Sequence, residues 1–269
     1  MKIGLFGIGS GICTDPGVAK RIAQRAETLG FDSLWTGEHV VLPDPREAPS
    51  PAPPDFAMLH PSTSLAYLAG VTERVKLGTG ITLIAQRNPV VLAKEMASLD
   101  VVSAGRLLLG IGAGYLHQEF AALGVNFRER GARTDEYVAA MRALWNDERP
   151  SFSGRFVSFD NVQAMPRPVQ DGGPPIIVGG ASDAALKRTV DYAQGWYGFA
   201  LDVAQTAAVL ERLRGFGGDG LEISITPSVR LDAEVVGQYA DLGVHRLIAL
   251  MPQTEERTMA ALEDMAALT

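Results

Sequence analysis

Cysteine is almost missing from this 269-residue chain, with Cys13 its single example. A lone thiol excludes an internal disulfide framework and a cysteine-rich zinc site. Its position after the first apolar run suggests an inert structural group. Histidine is scarce as well. His39, His60, His117 and His245 form no His-x-His or HExxH pattern, so no metal site is expected. There is no P-loop and no G-x-S-x-G elbow. No apolar run approaches the roughly 18 residues that cross a bilayer. Basic residues are outnumbered, 24 Lys and Arg against 31 Asp and Glu, for a net charge of −7. That balance argues against nucleic acid as a main partner. Neither nucleic acid nor membrane is expected as a partner, and the cytoplasm is the expected compartment.

What is present reads as a large globular domain over residues 1–269. Hydrophobic residues make up 46% of the chain and charged residues 20%, which excludes a disordered polymer. The opening Met1–Ile8 carries one lysine, and Ile12 before Cys13 is not small. It reads as a first buried strand, not as a signal peptide.

Apolar runs suited to buried parallel strands occur at 3–6, 33–36, 75–80, 107–111, 176–178, 196–199, 223–226 and 247–250. Amphipathic helical patterns fall between them. Val18, Ile22, Ala26 and Leu29 share one face, and Leu92, Met96, Leu99 and Val102 share another after Pro89. Further helices are expected over 62–71, around 137–145 and 185–193, and over 203–214, 233–242 and 255–268. Eight alternating units in a chain of this length predict a (β/α)₈ (TIM) barrel of the α/β class. A doubly wound open sheet is the alternative, normally with fewer strands.

Two segments break the rhythm. Residues 43–61 hold seven prolines after the second strand, a stiff loop and a lid candidate. Residues 146–175 contain Phe152-Ser153-Gly154-Arg155-Phe156, which reads as a small hairpin before the fifth strand.

Barrel chemistry sits where strands end. Glu38 and His39 follow strand two, where an imidazole could move protons near neutral pH, although a lone histidine can equally be structural. Gly78-Thr79-Gly80-Ile81 ends strand three. Its glycines suit either close approach by a planar ligand or a barrel bulge. Gly110-Ile111-Gly112-Ala113-Gly114-Tyr115 ends strand four. This is G-x-G-x-G, so the dinucleotide fingerprint fails, but a flat ring could lie against the bare backbone. Gly179-Gly180-Ala181-Ser182 joins strand five to a helix, and such a turn is either an anion seat or an ordinary capped connection.

Together these strand ends resemble the luciferase-like monooxygenase superfamily of flavin and deazaflavin oxidoreductases. The most specific stretches are Arg87-Asn88-Pro89 through Asp100, Ser103-Ala104-Gly105-Arg106 and the glycines at 110, 112 and 114. Arg130-Gly131, Arg133-Thr134-Asp135-Glu136 and Gly179-Gly180 also look like that family. The resemblance implies a dimeric (β/α)₈ barrel that acts on a small-molecule substrate and binds coenzyme F420 or FMN at the strand ends. In its F420-dependent branch, His39 matches a histidine beside the reactive ring and is the expected catalytic residue. Glu38 matches a neighbouring acidic position. Gly80-Ile81 matches a non-proline cis peptide behind the ring, and Gly179, Gly180, Ala181 and Ser182 match the phosphate-holding backbone. Gly112, Gly114 and Tyr115 complete the expected cofactor contacts. F420 is read ahead of FMN, which makes the expected activity hydride transfer to or from a small organic molecule. An FMN-dependent monooxygenase is the alternative, and a cofactor-free binding barrel is a third. Tyr115 stands where sugar-phosphate-oxidising members carry glutamate, which argues against that reaction. Asp100, Arg106, Arg133 and Glu136 are expected to form structural ion pairs.

Overall fold

The computed structural model describes residues 1–269. Eight parallel strands close on themselves: β1 (Lys2–Phe6), β2 (Ser33–Thr36), β3 (Lys76–Thr79), β4 (Leu107–Gly112), β5 (Ile176–Gly179), β6 (Gly195–Leu201), β7 (Glu222–Pro227) and β8 (Arg246–Leu250). Each pairs with its sequence neighbours. Closure comes from β1 against β8, with Gly4 opposite Ile248, and from β3 against β4, with Leu77 opposite Leu107. The open-sheet alternative is thereby excluded.

The helices α1 (Pro16–Thr28), α2 (Pro61–Ala69), α3 (Pro89–Val102), α4 (Arg130–Asn146), α5 (Asp183–Tyr192), α6 (Val203–Gly215), α7 (Ala233–Asp241) and α8 (Glu255–Met265) surround the barrel. Side-chain oxygens of Asp15, Asn88, Ser182, Asp202, Asp232 and Thr254 accept the first free N–H groups of their helices. Each such cap is worth about 1 kcal/mol and fixes where its helix begins.

Two apolar layers hold the barrel. The larger lies between strands and helices, because strands covered on both faces are apolar throughout. The smaller fills the lumen with Trp35, Leu108, Ile177, Tyr197 and Ile248, capped by Phe6 and Ile81. Trp35 stacks on Tyr197 at 5.6 Å, and a Cβ on Gly78 would run into the indole, so that position must be bare. Below them the fully buried Arg246 is bonded to Asp32 (2.7 Å), Ser224 (3.0 Å) and Glu222. Charge and aromatic packing therefore close the end where strands begin and leave the other end open.

Several local expectations need adjustment. The third strand stops at Thr79, and Thr82–Leu83 forms a separate short strand against Ile111–Gly112. The hairpin pairs Phe152–Ser153 with Ser158–Phe159. Its turn is held by Glu136, whose carboxylate accepts the N–H groups of Arg155, Phe156 and Val157 at 2.7–2.9 Å. Asp100 likewise accepts from the Val169 and Gln170 N–H groups, and Arg106 donates to the carbonyls of Ala69, Thr72, Val75 and Ser103. These residues are structural, as expected, but three of the four hold backbone instead of an opposite charge. Only Arg133, bonded to Glu129 at 3.0 Å, makes an ion pair. The reason is geometric: loops that return to the barrel expose unpaired backbone groups, and a buried charge is best neutralised by several of them.

Candidate active site

A cavity of about 1120 Å³ opens at the strand C-termini, and all eleven residues singled out in the sequence line it. A typical small-molecule pocket measures roughly 300–1,000 Å³, so this one lies at the large end of that range.

His39 follows β2, and its side chain is only 8% exposed. Its Nδ1 lies 3.3 Å from Glu119 Oε2, and its Nε2 lies 3.2 Å from the Tyr115 hydroxyl. Glu119 is fully buried and also accepts from Gln86 Nε2 (3.0 Å) and the Val40 N–H (2.6 Å). An ionised carboxylate only accepts, so the His39 Nδ1 carries a proton, and whenever the ring is neutral its Nε2 faces the tyrosine as an acceptor. Tyr115 is 43% exposed toward the cavity. Burial, helped by the Glu119 charge, raises its hydroxyl pKa and keeps it a donor.

Glu119 sits on a short helix, His117–Ala122, that packs under the β4 loop. Phe120 anchors this helix edge-on to Phe127 at 5.2 Å, and Gly114 makes room for it. Gly114 has φ +82°, and a Cβ there would come within 2.7 Å of the Phe120 ring. The glycine therefore serves both the backbone and the phenylalanine. Nothing local in the sequence marks Glu119, which lies 80 residues from its histidine.

Burial alone would push the Glu119 carboxyl upward, but its bonds from His39, Gln86 and Val40 outweigh that and hold it below the ordinary carboxylate range. A folded value below the unfolded one stabilises the protein fully above the ordinary carboxylate pKa, and the contribution vanishes as pH falls through the lowered value. The stability gap between the natural protein and Glu119→Gln should therefore hold down to the ordinary carboxylate range and shrink as the pH falls below it. Urea melts across that range check it, and a gap that widens on acidification would contradict the assignment.

Glu38 is 1% exposed on its side chain and turns its carboxylate away from open solvent. Oε2 accepts the Leu83 N–H at 2.6 Å, and Oε1 is bonded to Arg87, with His60 Nε2 3.8 Å away. Desolvation lowers the Arg87 pKa, while Glu95 and Glu119 oppose that shift. Arg87 itself heads the Arg87-Asn88-Pro89 motif. Its side chain thus ties the start of α3 to the end of β2.

The floor is made by Ile81. The Gly80–Ile81 peptide bond is cis, as the family resemblance implies. Atoms built on Gly112 would collide with the Ile81 side chain, and a Cβ on Gly179 would stand 2.9 Å from its Cγ2. The bare backbones of β4 and β5 therefore receive a protein side chain, so the glycines first act through Ile81. A flat ring would rest on Ile81, not directly on Gly112.

At β5 the anion seat is narrower than the sequence implies. The Gly180 N–H is taken by the Tyr197 carbonyl at 3.3 Å, and the Ser182 hydroxyl caps Ala185. The Ala181 and Ser182 N–H groups make no hydrogen bond to the protein, and both residues are exposed at the start of α5. Arg128, Arg130 and Arg188 line the same end of the cavity. Arg188 is held by Asp135 at 2.6 Å, and Arg130 lies over the Phe127 ring at 3.8 Å. Free N–H groups, a helix N-terminus and three guanidinium groups fit a phosphate-bearing cofactor.

The proline-rich loop lies over the mouth. Its Pro51, Pro53, Phe56 and Met58 line the cavity, and bonds from Gly11 N–H to Ala57 (2.9 Å) and from Leu59 N–H to Gly9 (2.8 Å) fasten it. Cys13 is buried outside the cavity lining, and burial pushes its thiol up to about 12, so it is inert. No helix is long and apolar enough to cross a membrane.

The sequence profile of the luciferase-like monooxygenases matches residues 7–255. An uncharacterized protein of Mycobacterium tuberculosis is 31% identical over 260 residues, covering 92% of each chain. The F420-dependent hydroxymycolic acid dehydrogenase of the same organism is 32% identical over 184 residues, 67% of this chain and 48% of that one. Among solved structures, monooxygenase RslO1 from Streptomyces bottropensis aligns with TM-score 0.80 at 23% identity, covering 99% and 98% of the two chains. An F420-dependent secondary alcohol dehydrogenase aligns with TM-score 0.78 at 18% identity, covering 100% and 98%. At these identities the two structures share the barrel fold with this chain.

Proposed function

Because the chain belongs to the luciferase-like monooxygenase family, we propose that it is an oxidoreductase of that family that uses coenzyme F420. The observation that carries this reading is the hydrogen-bonded line Glu119–His39–Tyr115, which runs from a buried carboxylate to a hydroxyl facing the cavity. The 32% identity to an F420-dependent dehydrogenase supports the choice of cofactor. When bound, F420 supplies or takes up a hydride, and the protein supplies position and electrostatics.

Ile81 would support the ring, and Ala181, Ser182 and the nearby arginines would hold the phosphate. Glu119 fixes the imidazole with Nε2 as acceptor. When the substrate gives up a proton, the Tyr115 hydroxyl would take it and pass its own to His39 Nε2. When the substrate receives one, the Tyr115 proton would go to the cavity and the doubly protonated imidazolium would return a proton from Nε2 to Tyr115.

Titration with F420 and with FMN, followed by quenching of cofactor fluorescence, tests the reading. F420 should bind the more tightly. Ala181→Asp places a carboxylate at the seat on an exposed residue, so F420 affinity should fall roughly tenfold with the unfolding midpoint unchanged. Preference for FMN would replace the reading with a flavin monooxygenase. Failure to bind either would favour a cofactor-free barrel.

A further inference from the structure

The charged residues that line the cavity are not spread around it. They are Arg188 on α5, Arg128 and Arg130 at the start of α4, where a Cβ on Gly131 would stand 2.6 Å from the Arg188 guanidinium, and Glu38 at the end of β2 beside the ionisable His39. Glu38 is already neutralised by Arg87. In the closed strand order, β1 lies four strands away from β5, and here the lining changes character. Phe6 ends β1, Leu250 and Met251 end β8, Phe199 lies on β6, and Phe56 and Met58 descend from the loop. Phe6 and Phe199 are 5.2 Å apart, and the position of a Cβ on Gly37, two residues before His39, lies 3.2 Å from Phe6 and 3.6 Å from Met58. This surface therefore adjoins the Glu119–His39–Tyr115 line.

Folding leaves part of it uncovered. Phe199 is 47% exposed and Leu250 50% exposed, although both are large and apolar. Ser10 and Gln253 line the cavity here as well; the Ser10 hydroxyl is given to the Gly7 carbonyl at 3.0 Å, and Gln253, 3.6 Å from a Cβ on Gly11 that also meets Phe56, offers a neutral amide. A phosphate or carboxylate placed here would lose its hydration and meet no cation, a severe cost. An apolar molecule would instead cover surface that water now touches.

We propose that this end of the cavity is the substrate site and that it takes an uncharged, largely apolar organic molecule. The assignment rests on the F420 reading for what occupies the cationic end, but it follows from the lining of the apolar end alone. The arginines are reserved for the cofactor's phosphate, and the substrate presents its one polar group toward Tyr115 and His39.

Binding of 2-butanone, 2-hexanone and 2-octanone to the full chain, measured by calorimetry with and without F420, tests this. Affinity should rise about fourfold per added methylene, the factor that about 0.8 kcal/mol per buried CH₂ gives. The equal-length keto acid 7-oxooctanoate should bind at least about tenfold more weakly than 2-octanone, because its charge must be desolvated without a partner. Leu250→Arg, at a half-exposed position that tolerates a long side chain, should reverse that order while F420 affinity stays within about twofold. Phe199→Arg gives a second route to the same reversal. Tighter binding of the keto acid by the natural protein, or no dependence on chain length, would overturn the proposal even if F420 binds. If the ketone series behaves as expected and F420 fails to bind, the cofactor reading falls and the apolar site stands.

Discussion

His39→Ala lowers turnover by about 10²–10⁴, the usual worth of a positioned proton-transfer group, and leaves F420 affinity within a few fold. The two effects separate because the imidazole sits at the end of β2 while the phosphate seat is at the start of α5. His39 is nearly enclosed, and Tyr115 stands between its Nε2 and the open cavity. Tyr115→Phe removes the hydroxyl and keeps the ring, so it distinguishes two routes. Should the proton pass through the tyrosine, Tyr115→Phe matches the loss in His39→Ala, and the double variant is no worse than either single one. If substrate meets His39 directly, Tyr115→Phe keeps most of the rate. Steady-state and single-turnover measurements with saturating F420 give the comparison. Wild-type turnover in His39→Ala would leave the histidine a structural residue and move the proton source elsewhere.

Arg87→Met destabilises the protein by roughly 3–5 kcal/mol, the cost of leaving a buried carboxylate without its partner. Methionine keeps much of the length and apolar volume, so the loss reports charge more than packing. Glu38 would retain the Leu83 N–H bond and a distant His60, which cannot replace a guanidinium. Glu38→Gln combined with Arg87→Met removes both charges and should recover most of the stability, because no unpaired ion remains. Urea melts of the two single variants and the double variant decide it. If Arg87→Met alone unfolds at the same urea concentration as the natural protein, this pair does not hold β2 to α3.

Much of the architecture was legible from the chain. Parallel strands covered by helices are apolar along their length, and that pattern located all eight barrel strands to within a residue or two at most ends. Strand ends then located the site, since βα loops carry barrel chemistry. The glycine runs after β3, β4 and β5 were visible as places where backbone must be approached closely. What approaches two of them, the side chain of Ile81, was not visible.

The chain by itself thus determined the barrel, the end that opens and the strand termini that meet there, because backbone periodicity is a property of neighbours in sequence. The partners of the functional groups came only with the tertiary structure. Glu119 reaches His39 across 80 residues, and Arg87 reaches Glu38 across 49. The separation of arginines from the apolar surface likewise depends on which strands lie across the lumen. Such pairings are fixed by barrel closure and by the desolvation cost of leaving a buried charge alone, and no local pattern of residues encodes either.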